Sequence, residues 1–391
     1  MNAVTHTVIL EVLTPVHVGS GDTVNALAYL REGDTLHVVD PDRWTGWLVQ
    51  QGKAEQFVRW LEDVLQITDR QQRERRTLTH FVREQLRRTD LAAVGRAVAR
   101  YSLRMEECDE PHPLRGFKTH LRDARSRAYL PGSSLKGAIR TALVEELLLE
   151  DDRLEQTLLQ PLQRVRPTGD RRALRGALKQ VREGMEQALL RGGQEKANFD
   201  LLRFVLVSDG EPFPHEQVSL RKVRSEGTGR PTDTWIEAVR PGATTRFTLS
   251  LVPSAPLSQL GLSADLREYL LWEGLFEVLY ERAERRLERE LAYPYPATVK
   301  RVLQDLRGRN RPESPLLCLG WGQGYLGTTV MGLVRDEDAQ GYAQLIDKMR
   351  LVLPRQGQGI QGARFPKTRR AVRNTRQGAV YPPGWVQLWG E

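Results

Sequence analysis

Residues 130–143 read LPGSSLKGAIRTAL, and the way this stretch turns decides the fold. An extended approach closes at Pro131 and Gly132, passes Ser133 and Ser134, and enters a helical pattern with Leu135, Ile139, Ala142, Leu143 and Leu147 on one face. That apolar face is expected to pack on a sheet. Lys136 and Arg140 lie one turn apart on another face, near the helix start. A serine cap, free first-turn N–H groups, the positive end of the dipole and two cations together suit an anion, a phosphate best of all. The same residues also describe an ordinary capped helix with two solvated basic side chains. Both readings stay open at this point.

Upstream, Thr7 to Val18 (TVILEVLTPVHV) is rich in β-branched residues and reads as a strand. It runs into Gly19-Ser20-Gly21-Asp22, a sharp turn that either admits a second backbone or simply connects a hairpin. Thr35 to Val39 reads as a second strand. Residues 42–126 read as a helical insertion, with an amphipathic stretch from Glu55 to Leu65 and an arginine-rich run from Asp69 to Arg88. Glu110 to Arg127 brings the chain back through a basic, turn-rich segment. Its His112 and His120 are too isolated to read as metal ligands.

Downstream, Arg171 to Arg191 is helical and stops at Gly192-Gly193. Arg203 to Val207 is a β pattern, with Gln217 to Val223 as its expected partner, and Ser225 to Pro231 is polar and flexible. Thr234 to Val239 and Thr244 to Val252 read as a hairpin about Arg240-Pro241-Gly242. A Pro-rich linker, Pro253 to Pro256, precedes the longest helical pattern, Ala264 to Leu291. In Leu316 to Val330 (LLCLGWGQGYLGTTV), Gly320, Gly322 and Gly324 bracket Trp321 and Gln323. Trp321 reads either as a stacking platform for a base or as a core tryptophan covering a glycine-rich bulge. Tyr342 to Leu353 reads as a helix running into a strand, or as one of the two. Gly357 to Arg376, with Lys367, Thr368, Arg369 and Arg370, reads as a flexible basic segment that Trp385 and Trp389 pin down.

Taken in order, strand, helix, strand, strand, helix, glycine-rich loop and strand give an α+β, ferredoxin-like βαββαβ arrangement. Large insertions fall at 42–126 and 209–243, and a C-terminal extension follows. Residues 1–252 are expected to form the N-terminal half and 253–391 a C-terminal half with the long helix, glycine-rich loop and basic tail. RNA-recognition folds share this architecture, but the aromatic RNP1 signature is absent, which moves base recognition from sheet aromatics to loops.

The 391 residues carry 58 basic and 50 acidic side chains, a net charge of +8, which favours a polyanionic partner. Cys108 and Cys318 stand far apart without CxxC company, which argues against a disulfide framework or a cysteine zinc site. No apolar run reaches the ~20 residues of a membrane span and no signal-peptide pattern is present, so a soluble cytoplasmic protein with no membrane partner is expected. Ser133-x-x-Lys136 matches the S-x-x-K nucleophile motif, but Ser208-Asp209-Gly210 and Lys367-Thr368-Arg369 break the companion S-D-N and K-T-G at their third positions. Gly132 to Gly137 has P-loop spacing with Ala138 in the lysine slot. His17 and Asp22 come without a partner for acid–base work. No catalytic residue, metal or cofactor is expected.

Three stretches, LTPVHVGSGD at 13–22, YLPGSSLKGAIRTAL at 129–143 and LGWGQGYLGTTV at 319–330, resemble the RAMP superfamily of CRISPR effector subunits. The glycine loop with its tryptophan and FPKTRRAV at 365–372 look most like the Csm-complex subunit that caps the guide-RNA (crRNA) 3′ end in type III-A systems. The resemblance implies a non-catalytic, RNA-binding subunit in antiviral defence. It would hold the 3′ portion of the guide, abut the repeated backbone RAMP subunit, meet target RNA indirectly, and support guide maturation by a recruited nuclease. Its implied RNA contacts are His17, Gly19, Ser20, Gly21, Gly132, Ser133, Ser134, Lys136, Arg140, Gly320, Trp321, Gly322, Gln323, Gly324, Lys367, Thr368, Arg369 and Arg370. In this family the backbone subunit cuts target RNA through a loop aspartate. Asp22 lies in a comparable loop, but that role is not carried over. The rivals are another RAMP subunit with metal-dependent endoribonuclease activity and, from a different class, an S-x-x-K serine acyl enzyme.

Overall fold

The computed structural model describes residues 2–106, 114–150, 152–166, 170–227, 231–349, 362, 365–374 and 380–391. Cys108, His112 and parts of the Gly357 to Arg376 and Ser225 to Pro231 segments lie outside them. Among the described residues, helices are mixed with two sheets. Strands β1 (Val4–Val12), β7 (Val205–Val207), β10 (Thr244–Leu251), β11 (Leu316–Cys318) and β14 (Trp385–Gly390) form a five-stranded sheet in the order β11-β14-β1-β10-β7. All four pairings are antiparallel. The second sheet contains β2 (Gly19–Asn25), β3 (Tyr29–Glu32), β4 (Thr35–Val39), β5 (Ala99–Met105), β6 (Gly116–His120), β8 (Val218–Gly227) and β9 (Asp233–Val239). They run in the order β2-β6-β9-β8-β5-β4-β3, and β12 (Thr368–Arg373) and β13 (Val380–Tyr381) are added beside β8.

Alternation places Val8, Leu10 and Val12 of β1 inward, and their neighbours Phe247, Leu249 and Leu251 on β10 join the same core. The helix Gly132–Leu149 lays Leu135, Ile139, Ala142, Leu143 and Leu147 into that core, as its periodicity requires. Leu275 and Leu279 of the helix Trp272–Ala292, and Val386 and Leu388 of β14, complete it. One apolar core therefore runs across residue 252.

Several expected pairings are corrected. β7 pairs with β10 and not with β8, and β9 and β10 enter different sheets instead of forming a hairpin. The helical insertion narrows from 42–126 to about 41–98, where Trp44, Trp60, Val64 and Phe81 build a core of their own. β5 and β6, inside the expected insertion, are strands of the large sheet. The long helix is broken at Leu271, which takes an extended conformation between a 3₁₀ stretch, Ala264–Leu270, and the helix Trp272–Ala292. Ala339–Met349 is the helix expected at the start of the Tyr342 to Leu353 stretch, whose residues 350–353 lie outside the described residues. The stop after residue 190 stands as expected, with Gly192 and Gly193 both at positive φ.

Candidate nucleic-acid interface

The three motif stretches converge on residues 16–18. Val16 bridges Val239 of β9. The His17 carbonyl accepts from the Trp321 N–H at 2.8 Å, which ties the first stretch to the glycine-rich one. The Val18 carbonyl accepts from Leu121 N–H at 2.8 Å, and the Leu121 carbonyl accepts from Tyr129 N–H at 3.3 Å, which ties it to the approach of the central helix. Gly19 to Asp22 is not the expected turn. It opens β2, with a register shift against β6 and Gly21 at φ +95°, so the glycines serve a bulged strand. Ser20 Oγ lies 2.6 Å from Thr119 Oγ1 there.

Beneath this junction lies a buried polar cluster. Glu237, fully buried, accepts from the Tyr101 hydroxyl at 2.7 Å, from His120 N–H at 3.0 Å and from Arg122 at 3.0 and 3.2 Å. Burial pushes the Glu237 carboxyl up while Arg122 opposes the shift. His17 Nδ1 lies 2.6 Å from the Glu237 carbonyl, so Nδ1 carries the proton and Nε2 keeps its lone pair. Burial lowers the His17 pKa to about 4, and Lys118 and Arg370 push it the same way. His120 Nδ1 accepts from Val18 N–H at 3.0 Å, which leaves its buried Nε2–H without a hydrogen-bond partner among the described residues. Its pKa falls to about 3, chiefly through burial. Both imidazoles are therefore neutral, and they frame the site without being poised for proton transfer.

The glycine-rich stretch is used mostly by the protein itself. A side chain on Gly320, at φ +74°, would strike the His17 carbonyl, and one on Gly322 would strike the Pro383 carbonyl. Gln323, its amide turned to donate, bonds the Cys318 and Gly327 carbonyls at 3.3 and 3.1 Å. Arg286 and Arg282 donate to the Gln323 and Gly327 carbonyls, both at 2.9 Å. The close approach expected from Gly320 and Gly322 is thus to protein backbone, a correction. Gly324, at φ +67°, faces open space.

Trp321 is half-buried. It packs on Val223, Ile236, Ala238 and Val372 of the large sheet, as the core reading of it expects in part. The Arg370 guanidinium stands 3.6 Å from its ring and donates to its carbonyl oxygen. Lys118 Nζ lies 4.8 Å from the same ring, and His17 meets it edge-on at 6.2 Å. Sequence reasoning missed Lys118, which lies on β6 within the stretch taken as basic turns. The alternating pattern of Phe117, Lys118 and Thr119 was the signal for a strand.

The central helix start differs from expectation. Pro131 holds the N-cap position and makes no side-chain cap bond, and the Asp209 carboxylate accepts the Gly132 N–H at 2.8 Å from elsewhere in the chain. Neither serine is the cap, and the anion nearest the dipole is the protein's own. Gly132 is buried against the Ser208 carbonyl. Ser133 is exposed, while Ser134 and Lys136 are half-buried. Burial and Arg140 lower the Lys136 pKa. Arg140 itself bonds Asp200 at 2.6 Å and Glu186 at 3.4 Å, in a network completed by Arg191.

The basic segment at 367–370 is likewise not a flexible tail. Thr368–Arg373 is β12, in register with Gly227 to Val223 of β8. Thr368 is exposed, but Arg369 is buried on Glu290 at 3.3 Å and over the Tyr293 ring at 4.7 Å. The cations thus separate into two groups. Arg122, Arg140 and Arg369 are neutralised internally, whereas Lys118, Lys136, Lys367 and Arg370 have no ion-pair partner among the described residues. Burial disfavours the charge on Arg370 with no acid to offset it, so an arriving anion would relieve that cost. Among the described residues no group of three or more His, Cys, Asp and Glu side chains could hold a metal ion, and no helix is long and apolar enough to cross a membrane.

A mixed fold with these motifs converging on one sheet defines a class. The family model described as the RAMP superfamily matches residues 9–326, and the chain belongs to that superfamily. It is 28% identical over 151 residues to the CRISPR system Cms protein Csm5 of Enterococcus italicus, covering 34% of this chain and 41% of that protein. It is 28% identical over 141 residues to the Csm5 of Streptococcus thermophilus, covering 34% and 36%. The matched stretches thus span about two fifths of these curated relatives. Among solved structures, a chain in the cryo-EM structure of a Csm-crRNA-target RNA ternary complex of a type III-A CRISPR-Cas system aligns with a TM-score of 0.73 at 23% identity, covering 98% of this chain and 100% of that one. The crystal structure of T. onnurineus Csm5 aligns with a TM-score of 0.67 at 19% identity, covering 97% and 99%.

Proposed function

We propose that this chain is a non-catalytic, cytoplasmic guide-RNA-binding subunit of a type III-A Csm effector complex. It caps the 3′ portion of the guide, abuts the backbone RAMP subunit, and supports guide maturation by a recruited nuclease. One observation carries the RNA-binding part. Lys118 and Arg370, neither neutralised by an acid, converge on half-exposed Trp321 where the motif stretches meet. Arg370 presents a guanidinium plane on which a base stacks, and Lys118 takes a neighbouring phosphate. Ser133, Ser134, Lys136, Gly324, Lys367 and Thr368 extend the track, and Gly19, Ser20 and Gly21 line it. His17, Gly132, Arg140, Gly320, Gly322, Gln323 and Arg369 position it from behind. The likeness to Csm5 proteins supports the place in the complex. The order β14-β1-β10-β7, with the helices Gly132–Leu149 and Trp272–Ala292 in the same core, supports a ferredoxin-like half with β11 and the large sheet added to it.

The test is binding of a single-stranded RNA to the full chain across a salt series, wild type against Lys118→Ala and Arg370→Ala. Each variant is expected to weaken binding for every sequence and flatten the salt slope by about 0.7. Unchanged affinity and slope in both would contradict the proposal. For the non-catalytic part, the assembled complex is given target RNA and Mg²⁺. Equal cleavage by wild type and Asp22→Ala is expected, and loss of cleavage would favour the endoribonuclease rival.

A further inference from the structure

A second cavity, distinct from the Trp321 site, opens at the start of β12. It has a volume of about 640 Å³, within the ~300–1,000 Å³ range of small-ligand pockets. Its walls are aromatic and proline surfaces, Tyr293, Pro294, Tyr295, Pro296, Phe365 and Pro366. Its charged members are Arg335, Lys367 and Glu226, none of which forms an ion pair among the described residues. Glu226 stands directly opposite Arg369 in the β8–β12 register. Both side chains therefore rise on the face that carries Tyr293, over which Arg369 lies. The Tyr293 hydroxyl, 3.2 Å from the Glu226 and Lys367 carbonyls, fixes the two strands at the cavity mouth.

This pattern of charge selects among ligands. Flat walls suit a base, and two uncompensated cations suit a phosphate. A carboxylate that forms no ion pair among the described residues repels a second phosphate and accepts from hydroxyl donors. A nucleotide inside a chain carries phosphates on both sides and would set one of them against Glu226. A 3′-terminal nucleotide carries only its 5′ phosphate and ends in a ribose with adjacent 2′- and 3′-hydroxyls. Lys367 also lies three residues before Arg370, ~10 Å along the chain at strand rise, with Arg369 and Arg370 on opposite faces of β12.

We propose that this cavity receives the 3′-terminal nucleotide of the bound RNA, with its base against Tyr293 and Phe365, its 5′ phosphate on Arg335 and Lys367, and its cis-diol on Glu226. The inference rests on the RNA-binding function proposed above and adds the chemistry of the end that is held. The cavity thereby selects a free 3′-hydroxyl terminus over a 3′-phosphorylated one.

The experiment measures binding of the full chain to one RNA sequence made with a 3′-hydroxyl, a 3′-phosphate or a 2′,3′-dideoxy end. The wild type is expected to prefer the hydroxyl end by ~10-fold, the scale of a charge-assisted hydrogen bond. Glu226→Gln is expected to lose most of that preference against the 3′-phosphate. Lys367→Ala and Arg335→Ala are expected to weaken all three RNAs while keeping the order. Thermal unfolding of each variant checks that the fold survives. Equal binding of all three ends by the wild type, with Lys118→Ala and Arg370→Ala still losing affinity, would overturn the end-pocket inference and leave the RNA-binding proposal standing. No binding of any RNA by the wild type would overturn both.

Discussion

The Arg370 guanidinium lies over the ring of Trp321 at 3.6 Å and donates to that residue's own carbonyl. Two elements far apart in sequence, β12 and the glycine-rich stretch, are locked together by one planar cation. That cation keeps its charge uncompensated, which separates this pair from the neutralised arginines around it.

Trp321→Ala removes the support beneath Arg370. Affinity for single-stranded RNA should fall by about 1–3 kcal/mol with little dependence on sequence, since stacking is sequence-tolerant. Competition binding with homopolymer RNAs checks this, and a loss confined to one base would point to edge recognition instead.

Arg140→Ala is the opposite case. Its guanidinium is held by Asp200 and Glu186, and its loss leaves a buried carboxylate short of a partner. Stability should drop by about 1–3 kcal/mol in denaturant unfolding while the salt slope of RNA binding stays that of the wild type.

Gly320→Ala combines two costs, a left-handed φ of +74° and a collision with the His17 carbonyl. A loss of about 1–3 kcal/mol in stability is expected from the backbone conformation alone. Because Trp321 N–H bonds that same carbonyl, RNA affinity should fall with it. Gly137→Ala, where a side chain meets open space, is the matched control and should be neutral or slightly stabilising.

The buried histidines give the fold a defined acid response. His17 has its pKa lowered to about 4, so between pH 6.5 and 4 the unfolded chain binds a proton that the folded chain refuses. Stability is full above 6.5, declines as pH falls through that window, and levels off for this group below 4. The contribution at stake is about 3 kcal/mol for His17. His120, lowered to about 3, extends the decline further. Denaturant unfolding at pH 7 and pH 4.5 measures the difference, and His17→Gln should shrink it.

What the sequence made legible was the part governed by local pattern. Helical spacing from Leu135 to Leu147 and alternation in β1 fix which faces are buried, and both hold. The motif stretches carried the family. What stayed hidden depended on partners distant in sequence. Arg140 meets Asp200 60 residues away and Arg369 meets Glu290 79 residues away, so neither cation could be recognised as already neutralised. Alternation in β10 is genuine and β9 is buried on both faces from Trp235 to Val239, yet nothing local says that the turn between them passes from one sheet to another. The glycines of the Trp321 stretch announced a close approach without naming what approaches, and Gly320 and Gly322 turn out to admit protein carbonyls.

The most direct measurement is photo-cross-linking of 4-thiouridine RNA to the chain in its assembled complex, read by peptide mass spectrometry. The account predicts adducts on the peptides that carry Lys118 and Trp321, lost in Arg370→Ala. Cross-links confined to the helical insertion at 41–98, with the Lys118 and Trp321 peptides unmodified, would contradict it.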